Sequence, residues 1–149
     1  MNIKQQLYNQ CFAFIENRLL TVQNTIKDIQ KSLLSETKSS AGDKHETGRA
    51  MLQLEREKTG QQLAEIQKIK EILSKIDIEK SSNPIGLGSI VYTTQNNYFI
   101  AISAGELKIN DEAFYAISPG TPIGQLLLGK SIDDVIIFRG QNFKINEIV

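Results

Sequence analysis

This sequence has a single cysteine, no net charge and no long apolar run. Each of these absences excludes a class of protein. Cys11 is the single cysteine among 149 residues, which rules out an internal disulfide and a cysteine-based zinc site within one chain. The 17 basic and 17 acidic side chains cancel, so a bulk polyelectrolyte partner such as duplex DNA is not expected. Because the first residues are polar and no apolar run approaches the length of a membrane span, we expect a cytoplasmic protein without membrane contact.

Proline is absent from the first 80 residues, and this absence divides the chain. All three prolines follow residue 80, together with most of the β-branched runs, whereas residues 1–80 contain most of the charged side chains. The stretch 81–84, Ser-Ser-Asn-Pro, marks the change and is typical of a linker, since the residue before a proline is disfavoured in a helix. We therefore predict two domains of different class, 1–80 and 81–149.

The first domain has the apolar spacing of a coiled coil. One seam recurs at alternating intervals of three and four: Phe12, Ile15, Leu19, Val22, Ile26, Ile29 and Leu33. A second seam, stronger towards the linker, contains Leu52, Thr59, Leu63, Ile66, Leu73 and Ile76. This heptad spacing predicts two helices that pack along these seams. Cys11 falls close to the first seam, so we expect a buried structural thiol there.

The two seams also predict where the chain folds back. In antiparallel helices the numbers of paired residues have a constant sum, and Leu33 with Leu52, like four further pairs, adds to 85. The midpoint falls between Gly42 and Asp43, within a polar tip near residues 36–48. At about 1.5 Å per residue, the first seam alone corresponds to an arm roughly 30 Å long. We therefore predict an antiparallel coiled-coil hairpin, although the same heptads would also allow pairing between two chains.

Asp43 and Glu46 give the tip its chemistry. The pattern Asp-x-x-Glu is first of all a capping box, which would start the second helix. Two carboxylates on one exposed turn can also share a divalent cation, and oxygen ligands suit Mg²⁺. In water, two charges about 6 Å apart repel by less than roughly 1 kcal/mol, so both carboxylates stay ionised, but the same weak field holds Mg²⁺ poorly. We expect no stably bound cofactor, and Mg²⁺ only in a complex with a partner that already holds phosphate and metal.

The second domain is predicted to be a small antiparallel sheet domain, which makes the whole chain an α+β protein. Strand-like runs cover residues 89–94, 98–103, 113–117, 135–138 and 143–148. A short helix is predicted over 122–128, because Thr121 suits the N-cap, Pro122 suits the first position and Gly129 closes the helix. This half of the sequence contains no catalytic constellation.

The segment 117–130, ISPGTPIGQLLLGK, resembles a signature of the bacterial transcript cleavage factors of the GreA/GreB family. That signature is I-S-x-x-S-P-I-G-x-A-L-L-G-K, so Thr121 replaces a serine and Leu126 an alanine. The order of the two domains is also similar to that family, whose members combine a coiled coil with a C-terminal domain of FKBP-like fold. The resemblance implies that this segment binds RNA polymerase at the rim of its secondary channel, through Thr121, Pro122, Ile123, Gly124 and Leu127.

The tip resembles the family's D-L-x-E-N-A-E-Y at Asp43 and Glu46, whereas residues 47–50 differ from it. By this resemblance, the two carboxylates help to hold the second catalytic Mg²⁺ of the polymerase, next to the RNA 3′ end, where a backtracked transcript is hydrolysed. The implied function is that of a monomeric elongation factor. Such a factor stimulates transcript cleavage by RNA polymerase and is not itself an enzyme.

Two other functions agree with the same residues. The changed residues 47–50 suit a factor of the same build that occupies the secondary channel without cleavage and so regulates transcription. A structural adaptor would belong to a different class, and it would dimerise through the heptads of residues 7–76.

Overall fold

The computed structural model describes the backbone of residues 2–38 and 42–149, and the side chains of residues 2–35 and 47–149. The described residues form an α+β protein, which confirms the predicted class. In chain order, the elements are α1 (Ile3–Lys38), α2 (Gly42–Ser74), β1 (Ile90–Thr93), β2 (Asn97–Ile100), β3 (Gly105–Ile109), β4 (Glu112–Ile117), α3 (Pro122–Leu127), β5 (Val135–Phe138) and β6 (Gln141–Ile148).

The chain divides into two compact units. One unit contains residues 1–14 and 70–149, and we call it the sheet unit. The other contains residues 15–69, and we call it the hairpin unit. Residues 1–14 and 70–80 of the predicted first domain therefore belong to the same unit as the strands. A domain boundary near residue 80 stays a prediction from composition.

Helices α1 and α2 pack together, which confirms the predicted helical hairpin. In the hairpin unit, Ile29 and Leu33 of α1 and Thr59 and Ile66 of α2 are buried, all at predicted seam positions. The hydroxyl of Thr59 donates a hydrogen bond of 2.8 Å to the backbone oxygen of Glu55. This polar seam residue is therefore satisfied within its own helix and needs no partner across the seam.

Two grooves along the hairpin show which residues of the helices are neighbours. Ser32 of α1 lines one groove together with Gly48 and Leu52 of α2. Leu33 lines the other groove together with Gln53. These neighbours agree with the predicted pairing of Leu33 with Leu52.

The predicted seam is wrong at Phe12, whose side chain is 46% exposed. Leu7, Cys11 and Ile15 are instead fully buried, and they follow one another at intervals of four. The physical reason is that a straight α-helix has about 3.6 residues per turn, so its buried face drifts away from strict heptad positions. The burial of Cys11, whose thiol is free, confirms the predicted buried cysteine.

The six strands form one sheet in the order β3-β4-β2-β1-β6-β5. All neighbouring pairs are antiparallel except β2 and β4, which are parallel. The prediction of an antiparallel sheet is therefore wrong at this pair. The cause is β3, a strand that the sequence did not predict: it pairs with β4 through a tight turn in which Asn110 and Asp111 have φ of 50° and 68°. This additional reversal returns β4 in the direction of β2.

Helix α3 covers one face of this sheet. Its Leu127 belongs to a buried cluster that draws on four strands and on the segment before β1: Ile85, Val91, Tyr98, Ile100, Leu127, Ile136, Phe143 and Ile145. The backbone of Ile85 is hydrogen-bonded to Gly129 and to Lys130, each at 2.9 Å. These two bonds fix the end of α3 to the chain that leads into the sheet.

The ends of the long helices that belong to the sheet unit are also attached to it. The amide of Gln10 donates to the backbone oxygen of Lys108 in β3 at 3.1 Å, and Leu7, Leu73 and Ile76 are buried. None of the described helices combines the length and the apolarity that crossing a membrane would require.

Candidate functional site

Helix α3 starts at a turn that its own sequence specifies. Thr121 has extended backbone angles, with φ of −70° and ψ of 157°. Its hydroxyl oxygen accepts a hydrogen bond of 3.1 Å from the Gly124 N–H and donates one of 2.8 Å to the backbone oxygen of Ser118. Pro122 follows at a position where a helix needs no N–H. The predicted N-cap and the predicted proline position are both confirmed.

Gly124 allows this turn to close tightly. A β-carbon at this position would collide with the backbone oxygen of Ser118, and it would lie only 2.8 Å from Thr121 Oγ1 and 3.1 Å from the backbone oxygen of Pro119. The lack of a side chain therefore lets the start of α3 rest directly on the loop before it. This contact fixes the direction in which Pro122 and Ile123 face.

An open groove of about 360 Å³ lies beside this turn. We call it the aromatic groove. It collects residues from the β1–β2 turn, from β2 and β4, from the start of α3, from the end of β5 and from the turn between β5 and β6. Its lining residues are Asn96, Tyr98, Tyr115, Ile117, Thr121, Pro122, Ile123, Phe138 and Arg139. Arg139 is the one charged residue of this lining.

The aromatic side chains that line the groove are held by their neighbours in the sheet. Tyr98 and Tyr115 are directly opposite each other in the parallel β2–β4 pair, with ring centroids 6.3 Å apart and ring planes tilted by 44°. The ring of Tyr98 also lies 6.3 Å from that of Phe143, in the buried cluster. The wall formed by Tyr98 is therefore anchored in the core and is already formed without a ligand.

The structure brings three of the five predicted polymerase-binding residues to this groove. Thr121, Pro122 and Ile123 all line it, and Pro122 is exposed. Gly124 and Leu127 are buried instead, where they support α3 from inside. Their participation in a binding surface stays a prediction.

The predicted catalytic and metal-binding residues, Asp43 and Glu46, have side chains that lie outside the described residues. Helix α2 begins at Gly42, so Asp43 belongs to its first turn and Glu46 follows directly after that turn. Among the side chains that are described, no group of three or more His, Cys, Asp or Glu residues is arranged to hold a metal ion. A role of Asp43 and Glu46 in binding Mg²⁺ stays a prediction.

Six groove residues were not predicted from the sequence as part of a site: Asn96, Tyr98, Tyr115, Ile117, Phe138 and Arg139. Their positions in strands and in hairpin turns were predicted, but they come from three separate segments of the chain. The sequence did contain a signal for Arg139. The dipeptide Arg139-Gly140 follows an apolar strand directly, so the predicted hairpin turn holds a charged side chain at a defined position. The convergence of the three segments requires the sheet order.

A larger groove, of about 750 Å³, lies beside the first turn of α1. Lys4 lines it, but the Lys4 side chain is buried, and its ammonium group donates to the backbone oxygen of Lys80 at 2.8 Å. Burial lowers the pKa of Lys4, and the charge of Asp77 acts in the opposite direction. Because this ammonium group is used within the fold, the aromatic groove is the better candidate site.

The candidate site rests on the geometry of the aromatic groove and on the sequence signature at residues 117–130, which includes α3. No protein-family model and no curated protein matches this chain.

Proposed function

We propose that this protein is a Gre-type transcription elongation factor that binds RNA polymerase through the aromatic groove and the start of α3. One observation carries the proposal: Thr121, Pro122 and Ile123 belong to the sequence signature and also line the groove. An open groove with aromatic and aliphatic walls suits an anchoring side chain of a protein partner. The order of parts supports the same function, since a helical hairpin precedes a sheet with one short helix. We assign the sheet an FKBP-like fold that serves for binding rather than for prolyl isomerisation.

In this proposal the hairpin enters the secondary channel of the polymerase. Helices α1 and α2 contain 36 and 33 residues, and at about 1.5 Å per residue each corresponds to roughly 50 Å of helix. Helices of this length are long enough for a hairpin that reaches into a deep channel. The mixed charge of the chain, with no net excess of either sign, agrees with binding to a protein surface rather than to a nucleic acid backbone.

Asp43 and Glu46 supply carboxylate oxygens to a Mg²⁺ ion that they share with the aspartates of the polymerase. Residues three apart in a helix lie on one face, so both carboxylates can approach the same ion. Such an ion, when bound, activates water and stabilises the leaving oxygen of a phosphodiester. The protein chain contributes the two ligands and their delivery. It is an accessory factor, because the nuclease activity belongs to the polymerase.

The decisive experiment measures cleavage of a stalled, backtracked transcription complex. We expect RNA shortening with the wild-type protein and a loss of about tenfold or more with Asp43→Asn/Glu46→Gln, since ligands of the shared ion are removed. A matched control is Glu55→Gln/Glu57→Gln, which removes the same charge from exposed positions of α2. This variant should stimulate cleavage by the polymerase as strongly as the wild type does. Equal cleavage by the wild type and by the double variant at 43 and 46 would exclude this mechanism.

A second function of the same build is favoured by the residues that follow Glu46. Thr47, Gly48, Arg49 and Ala50 replace the asparagine, alanine, glutamate and tyrosine of the family's tip. A protein with these changes can occupy the channel and regulate transcription without cleavage. It would bind polymerase with no Mg²⁺-dependent RNA shortening, so clear cleavage in the assay above dismisses it.

A further inference from the structure

Arg139 lies at a fixed position on the edge of the aromatic groove. Phe138 and Gln141 are paired across β5 and β6, so Arg139 and Gly140 form a two-residue turn. Their φ values of 52° and 77° are those of the hairpin turn that matches the twist of its strands. The hairpin turn therefore fixes the backbone of Arg139, and with it the point from which the side chain extends.

The guanidinium group of Arg139 is also oriented. Its central carbon lies 5.0 Å from the centroid of the Phe138 ring, a distance typical of a cation–π contact. A cation–π contact does not require the N–H groups of the guanidinium to bond an acceptor within the fold, so they stay available to a partner. Among the described residues Arg139 has no ion pair, whereas Lys144 on the neighbouring strand is paired with Asp133 at 3.3 Å.

The rest of the lining offers donors and few competing acceptors. The hydroxyls of Tyr98 and Tyr115 make no hydrogen bond to the residues that the structure describes, and both side chains line the groove. No aspartate or glutamate is part of the lining. A partner that presents a carboxylate would therefore meet a cation and hydroxyl donors without a like charge in the lining.

We propose that Arg139 selects the partner by binding a carboxylate of the polymerase, while the groove between Tyr115, Ile123 and Phe138 takes an apolar side chain next to that carboxylate. This inference rests on the proposed function and adds the chemistry of the partner segment, an acidic residue beside an aliphatic or aromatic one. The guanidinium, already held by Phe138, loses little side-chain freedom on binding.

The test compares the affinities of labelled variants for core RNA polymerase that is free of nucleic acid, by fluorescence anisotropy at several salt concentrations. Arg139→Gln should weaken binding about tenfold, since a charge-assisted hydrogen bond is lost. Arg139→Glu should weaken it further by repulsion, and Arg139→Lys should bind with intermediate affinity. Lys108→Gln is the matched control, because it removes the same charge from β3 at the opposite edge of the sheet, and it should bind as the wild type does.

Each outcome separates this inference from the proposed function. If Ile123→Glu abolishes binding while Arg139→Gln and Arg139→Glu bind as tightly as the wild type, the groove binds polymerase and the role of Arg139 is refuted. If the Arg139 variants are weaker only when nucleic acid is present, Arg139 contacts a phosphate and the carboxylate is refuted. If the wild type does not bind polymerase at all, the proposed docking fails and the role of Arg139 fails with it. Unfolding curves of the Arg139 variants should match the wild type, since Arg139 is exposed.

Discussion

Thr121 organises the candidate site through a single hydroxyl group. This hydroxyl accepts a hydrogen bond from Gly124 and donates one to Ser118, so it joins the first turn of α3 to the loop before it. The sequence predicted the cap correctly, because the order Thr-Pro followed by an apolar run is a local signal. The sequence could not predict that the capped turn borders a groove with Tyr98 and Phe138, since that contact depends on residues far along the chain.

The role of Thr121 predicts different effects for two substitutions. Thr121→Ala should lower the free energy of unfolding by about 1 kcal/mol, because the Gly124 N–H loses its acceptor. Thr121→Ser keeps the hydroxyl and should change the stability by less than about 0.5 kcal/mol. Chemical denaturation measures the stability, and hydrogen exchange at the Gly124 amide reports the local bond. If that amide exchanges equally fast in the two variants, the cap does not hold the turn.

The helices and strands differ in how far their sequence determined them. The heptad seams of α1 and α2 are local repeats, and most of their positions were predicted correctly. Phe12 was wrongly predicted to be buried. The buried face of α1 shifts to Leu7, Cys11 and Ile15 there, and a strict heptad pattern does not follow such a shift. Strand β3 was missed because its residues, with exposed Glu106 and Lys108, carry few apolar side chains for a strand pattern to detect.

The packing of the hairpin predicts that two apolar residues on α2 contribute very differently to the free energy of unfolding. Ile66 is fully buried and Leu54 is 66% exposed. Ile66→Ala should lower the free energy of unfolding by about 2–3 kcal/mol, since it removes buried methyl groups and leaves a cavity. Leu54→Ala, the matched control, should change it by less than about 0.5 kcal/mol. Denaturation followed by helical circular dichroism checks both values, and equal losses would contradict the assigned packing of α2.

At the scale of the whole molecule, buried and half-buried ionisable groups link the stability of the protein to pH. Burial raises the pKa of the Cys11 thiol from 9.0 to about 12. The pKa of Tyr92 is also raised, by burial first and then by the charges of Glu112 and Glu147. Lys4 has the opposite shift, so its buried charge opposes folding at neutral pH and this cost is relieved as pH rises towards 10.5.

Because its pKa is raised in the folded protein, Cys11 should make the protein less stable in alkaline solution. A group whose pKa is higher in the folded state contributes stability that is complete below its unfolded pKa and is lost as pH rises through its folded pKa. For Cys11 this window extends from pH 9.0 to about pH 12. Within it the wild-type free energy of unfolding should fall by up to about 1.4 kcal/mol per pH unit more steeply than that of Cys11→Ala.

The measurement is urea denaturation under reducing conditions at pH values across this window. Cys11→Ala also leaves a small cavity, but a cavity lowers the stability equally at every pH and leaves the slope unchanged. Phe12→Ala, a change at the adjacent exposed residue, should keep the wild-type slope. Parallel pH profiles for the wild type and Cys11→Ala would show that Cys11 does not titrate as proposed.

The sequence by itself determined the features that depend on neighbours along the chain: the two long helices, five of the six strands, and the cap and closing glycine of α3. Short-range periodicity and turn chemistry suffice for these, because each element draws on residues within a few positions of one another. The tertiary structure alone decided the parallel pairing of β2 with β4 and the drift of the buried face near Cys11. It also decided the meeting of Tyr98, Tyr115, Ile123 and Arg139 in one groove. These residues are far apart in sequence, and only the sheet order, set by burial of a common core, brings them together.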